Sequence, residues 1–125
     1  MSVVLDYNPE NKILYLTILN ELNANEITDS LKKIRNSNDY PPDAAILLDV
    51  SSINTTINNI QLCLESAGIQ EIIIEREKAK IAIIACNFPA TLRNKYDMLA
   101  EAAKHKIVVF NNFIEAEEWL EWREN

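Results

Sequence analysis

Asp49, Ser51 and Ser52 close an apolar run, Ala44-Ala45-Ile46-Leu47-Leu48, and carry the strongest claim to chemistry in this 125-residue chain. A carboxylate beside two hydroxyls can bind a polar ligand, and a helix starting just afterwards adds free backbone amides. The same three side chains can equally cap the loop that holds them, the commoner use of Asp and Ser at such a place. Thr55, Thr56 and Asn58 follow, with hydroxyls suited to phosphate or to a partner, or to turn and helix-cap duty. Asn87 and Arg93 border a second strand-to-helix junction. Arg93 there has a planar fork for an anion, or is an ordinary solvated helix charge. The candidate binding set is therefore Asp49, Ser51, Ser52, Thr55, Asn58, Asn87 and Arg93. Asparagine weighs little in it, because the chain has 15 asparagines and one glycine, so any polar loop will be rich in asparagine.

Catalytic and metal chemistry find less support. The single histidine, His105, lies between Lys104 and Lys106 with no serine elbow or cysteine beside it in sequence. Cys63, Cys86 and His105 lack the paired spacing of a metal site, and the two cysteines read as buried free thiols. No catalytic residue, metal or cofactor is expected. The formal charge of −7, with no local Lys/Arg cluster, opposes binding to nucleic acid. No segment approaches the roughly 20 apolar residues of a membrane span, and no basic leader with a long apolar core opens the chain, so a cytoplasmic protein is expected.

The elements that must position these residues follow from periodicity. Residues 3–7 and 12–19 are β-rich runs separated by Asn8-Pro9-Glu10-Asn11 and should pair as an antiparallel hairpin. Asn23 caps a helix with Glu26 three residues on, and Leu22 is placed to staple onto Ile27. Ile27, Leu31 and Ile34 continue its apolar face until the prolines at 41 and 42. The run at 44–50 reads as a central strand buried on both faces. Ile57, Ile60, Leu64 and Ala67 form a helical stripe, and Gly68 separates it from a second stripe at Ile69, Ile72 and Ile73. Residues 80–87 form the next strand, and Pro89 opens a helix with Phe88, Leu92, Tyr96, Leu99 and Ala103 on its buried face. Residues 107–110 are the last strand. Asn112 and Glu115 cap a terminal helix bearing Ala116, Trp119 and Leu120, with Trp122 off that stripe, as a rim residue or as part of a contact surface.

Right-handed crossovers through this order give one α/β domain over 1–125: a mostly parallel five-stranded sheet with an antiparallel N-terminal edge strand and four or five helices. Four features carry a resemblance. They are the opening hairpin, the strand ending Leu-Leu-Asp-Val-Ser, the strand ending Ala-Cys-Asn before a proline-led helix, and the finish Phe110 to Leu120 with Ala116, Trp119 and Leu120. Together they resemble the SpoIIAA-like proteins with the STAS fold over nearly the whole chain. The resemblance implies that fold and a non-enzymatic regulatory or protein-interaction role. For this branch it also implies, as the alternative, carriage of a small apolar or lipid-like ligand. The anti-sigma-factor antagonists of the family carry a phosphorylatable serine in Asp-Ser-Ser/Thr-Gly. Here its place falls near Asn58 and that of its preceding aspartate near Ile57, so regulation by phosphate at that position is not expected.

An aspartate ending a central strand also suggests a phosphoacceptor receiver. That needs Ser/Thr and lysine at the ends of later strands, where Cys86-Asn87 and Asn111-Asn112 stand, and the reading is set aside. Two expectations concern surfaces. Residues 49–59 and 87–93 should form one lip, because they follow adjacent parallel strands roughly 5 Å apart. The strand at 12–19 is apolar on both faces (Ile13, Tyr15, Leu19; Leu14, Leu16, Ile18), so one face needs a second cover, which a homodimer or the chain's own helices would supply.

Overall fold

The computed structural model describes residues 3–41, 43–69, 71, 79–85 and 107–121. Strands β1 (Val3–Asn8) and β2 (Ile13–Ile18) form the antiparallel hairpin, with Val3 opposite Ile18 and Asn8 opposite Ile13. Side chains shape its turn: Asn8 Oδ1 accepts from the Glu10 amide at 2.9 Å and Asn11 Oδ1 from the Ile13 amide at 3.2 Å. Lys12 and Asn20 take left-handed backbone, at φ 56° and 71°. Asparagine tolerates that region better than most residues, so Asn20 does a glycine's work where β2 leaves the sheet.

Helix α1 (Ala24–Asn36) starts at Asn23, whose side chain accepts from the Glu26 amide at 3.1 Å, and ends with Lys33 and Arg35 at its negative dipole end. Strand β3 (Ala45–Asp49) runs parallel to β2 and to β4 (Ile81–Ile84), and β5 (Ile107–Phe110) runs parallel to β4. The sheet order is β1-β2-β3-β4-β5, the chain order, so β3 is central as expected. Helix α2 (Ile57–Ser66) follows β3 and α3 (Phe113–Glu121) follows β5. The helix expected after Pro89 lies outside the described residues; of the one expected over the second isoleucine stripe only Ile69 and Glu71 are described, both helical, and the described residues hold three full helices in place of four or five.

Period-two alternation sorts the strand side chains into two cores. Leu14, Leu16, Ile18, Ile46, Leu48, Ile81 and Ile83 face α1 and α2, where Ile27, Leu31, Ile34, Ile60 and Leu64 meet them. On the opposite face Ile13, Leu47, Ala82, Ile84 and Phe110 meet Ala116, Trp119 and Leu120 of α3. Each such side chain contributes about 1.5–3 kcal/mol through burial. The double-sided apolar pattern of β2 is met in part within one chain: α1 and α2 cover Leu14, Leu16 and Ile18, and α3 covers Ile13 and packs beside Tyr15, while Leu19 stays exposed.

The helices share faces for a topological reason. A chain that moves one way across a parallel sheet through right-handed crossovers places successive helices on the same side. Thus α1 and α2 are neighbours, and Thr28 Oγ1 of α1 donates to the Ala24 carbonyl at 2.7 Å and reaches the Ala67 carbonyl at the end of α2 at 3.4 Å. The strand order from β2 to β5 never reverses, so it makes none of the crevices that open where neighbouring loops diverge. What the carboxyl edge offers is a surface.

Candidate functional site

The loop between β3 and α2 is tied down residue by residue. The Val50 amide donates to the Ile84 carbonyl at 2.9 Å, extending the parallel ladder one step past β3. The Ile53 amide donates to the Val50 carbonyl at 3.0 Å and closes a tight turn. Inside that turn Asp49 Oδ1 accepts from the Ser51 amide at 2.9 Å and from Ser51 Oγ at 2.6 Å. Asp49 and Ser51 therefore serve each other, as the capping reading of these residues expects. Ser52 Oγ donates to the Ile18 carbonyl at 2.9 Å and ties the loop to the end of β2, while Ile53 is buried beneath it.

The start of α2 is equally well determined. Thr56 is its N-cap and accepts from the Asn59 amide at 3.2 Å, and Asn59 Nδ2 donates to Thr55 Oγ1 at 3.2 Å. Asn58 is exposed in the first turn and carries an amide, which cannot accept phosphate. Asp49, Ser51, Ser52, Thr55 and Asn58 thus form one continuous segment with a fixed backbone. Asn87 and Arg93 lie outside the described residues, as do Cys86, His105 and Trp122. The part of the lip that they would form is not described here, although β3 and β4 are adjacent and parallel as the lip requires.

One surface feature of α2 escaped the periodicity reading. Ile60 and Leu64 point inward, and Asn58, Leu62, Glu65 and Ser66 make up the exposed side. Leu62 is 62% exposed, an apolar side chain standing in solvent on a polar stripe. Its signal was present in the sequence: a leucine midway between inward positions 60 and 64 must face away from them. Cys63 beside it is a free, half-buried thiol, and burial raises its pKa so that it stays protonated.

The second face holds the other polar contact that spans the fold. Tyr15 Oη donates to Glu117 Oε2 of α3 at 2.7 Å and accepts from Asn11 Nδ2 at 2.9 Å. Burial, and then the bond to Glu117, push its pKa up to about 12. No sequence signal joins residues 102 apart; only the sheet order and the packing of α3 bring them together. Nearby, Lys80 Nζ donates to the Trp119 carbonyl at 3.1 Å and lies 5.3 Å from the indole centroid.

Among the described residues no three His, Cys, Asp or Glu side chains gather as metal ligands, and no helix is long and apolar enough to cross a membrane. No protein-family model, curated protein or solved structure matches this chain.

Proposed function

We propose that this chain is a non-enzymatic, cytoplasmic docking module of the SpoIIAA-like kind with the STAS fold, which recognises a protein partner through the 51–59 loop and the exposed side of α2. The observation that carries this reading is Leu62. An exposed leucine on a helix fixed at its start by Thr56 offers an apolar anchor, and Asn58, Asn59 and Glu65 around it offer a polar rim. The loop is held by Asp49, Ser51 and Ser52, so little conformational entropy is lost when a partner binds it. The hairpin, the parallel strands after it and the aspartate-ended central strand support the family reading. The free thiol of Cys63 accords with a reducing compartment.

Carriage of a small apolar ligand is the other reading. Its pocket would lie between helices and sheet, and Ile27, Leu31, Ile34, Ile60 and Leu64 pack that layer against the strands. This favours docking. Native mass spectrometry of the protein purified from its own host separates the two. Docking predicts a stoichiometric protein complex that Leu62→Arg abolishes. A retained small molecule, unchanged in that variant, would instead establish the carrier.

A further inference from the structure

Strand β1 ends the sheet, and among the described residues its backbone bonds only to β2. In an antiparallel pair every second residue turns its amide and carbonyl away from the neighbouring strand, so the outer side of β1 carries a row of unpaired donors and acceptors. Proteins blunt such an edge with proline, lysine, a bulge, a very short strand or a cover. β1 has six residues, Val-Val-Leu-Asp-Tyr-Asn, and its register against β2 runs from Val3–Ile18 to Asn8–Ile13 without a skipped residue. Asp6 is its only charge. At the opposite end of the sheet β5, with four residues, is the shorter edge. The side chains of β1 tell the same story. Leu5 and Tyr7 pack against the core beneath α1 yet are half-buried, while Leu16 and Leu14, their partners on β2, are fully buried. The apolar layer is open at this edge.

We infer that the outer edge of β1 pairs with β1 of a second copy, antiparallel about a twofold axis at Leu5, so that two sheets join into one. Symmetry limits the register. A twofold axis perpendicular to the sheet keeps each side chain on its own face, so residues directly opposite must differ by an even number. Two registers then match most of the strand, one with Leu5 on the axis and one with Asp6. The second sets Asp6 against Asp6 of the other copy, like charges directly opposite, which is unfavourable. The first sets Leu5 on Leu5 and Val3 on Tyr7 on the α1 side, and Val4 on Asp6 on the other face. It lengthens the apolar row and moves the two carboxylates to the diagonal. A second copy thus satisfies the backbone, the apolar row and the spacing of charge together, whereas an unrelated extended segment satisfies the backbone alone.

The test is sedimentation equilibrium of the full chain across micromolar concentrations, with charge variants at positions 4 and 6. The protein should dimerise. Val4→Asp puts a carboxylate opposite Asp6 at both symmetric places and should weaken the dimer about tenfold. Val4→Lys should tighten it by a similar factor, and Val4→Asp/Asp6→Lys should restore it. Val4 is 50% exposed and Asp6 is exposed, so these variants keep the fold. Leu62→Arg should leave the dimer unchanged, which separates this test from that of the α2 surface. A monomer throughout that range, or a dimer indifferent to these charges, would overturn the inference. So would slow hydrogen exchange, in the monomer, of the β1 amides that do not bond to β2, because the edge would then be covered within the chain.

Discussion

Tyr15 shows how a single side chain joins distant parts of the chain and what that contact does to its chemistry. Its phenol is raised from an ordinary value near 10 to about 12, by burial first and by Glu117 next. A raised folded-state value means that folding favours the protonated phenol. The associated stability is complete below pH 10 and is lost as pH rises through about 12, where the unfolded chain has already ionised. Alkaline titration monitored by phenolate absorbance should therefore contain a late step that belongs to Tyr15. Tyr15→Phe should remove that step and flatten the fall of stability between those two pH values; identical curves would show that Tyr15 is not the late group. Trp119 presents the opposite case, a fully buried indole whose Nε1 has no hydrogen-bond partner among the described residues. An unpaired buried donor costs roughly 1–3 kcal/mol, so a smaller ring without that donor offsets part of the packing energy that it loses. In chemical denaturation Trp119→Phe should cost no more than about 1.5 kcal/mol, while Trp119→Ala, which empties the core under α3, should cost about 3–5 kcal/mol.

At the scale of elements, the caps were the most legible features because they rest on residues three apart, which hold whatever the tertiary fold. Asn23 and Asn112 each accept from the backbone amide that the capping pattern designates, Glu26 and Glu115. Replacing either by alanine should destabilise the protein by about 1 kcal/mol, read as a shift in the denaturation midpoint with an unchanged slope. Gly68 was legible in a similar way. It follows α2 at φ +89°, a conformation that costs a side chain, and an added Cβ would lie 3.1 Å from Glu71 Oε2. Gly68→Ala should cost about 1 kcal/mol or more. The strands were legible from their apolar runs, the last one to the residue and the others with ends shifted by up to three residues, because alternation reports burial better than it reports where the ladder stops. The face of α3 was less so. Its stripe identified Ala116, Trp119 and Leu120 as buried but could not indicate which side of the sheet would receive them, and that choice creates the Tyr15–Glu117 contact.

At the scale of the whole molecule, the sequence conveyed the layer order and the central place of Asp49 but not what covers the double-sided β2. An apolar strand face reads the same whether its cover is a second copy or a helix about 100 residues further along the chain; α3 covers Ile13 of that face, and Leu19 stays exposed. The residues at the end of β3 were located correctly, and the bonds of Asp49, Ser51 and Ser52 give them a role in holding the loop. Because Leu62 makes its contribution in solvent, Leu62→Arg should change stability by no more than about 0.5 kcal/mol, so loss of a partner in that variant cannot be blamed on unfolding. The most direct measurement puts a photoactivatable benzophenone amino acid at position 62 in the host cell, with the same residue at Lys32 on the exposed side of α1 as the control. Illumination should yield one discrete protein adduct from position 62 and none from position 32. No adduct from position 62, or the same adducts from both positions, would contradict docking through α2.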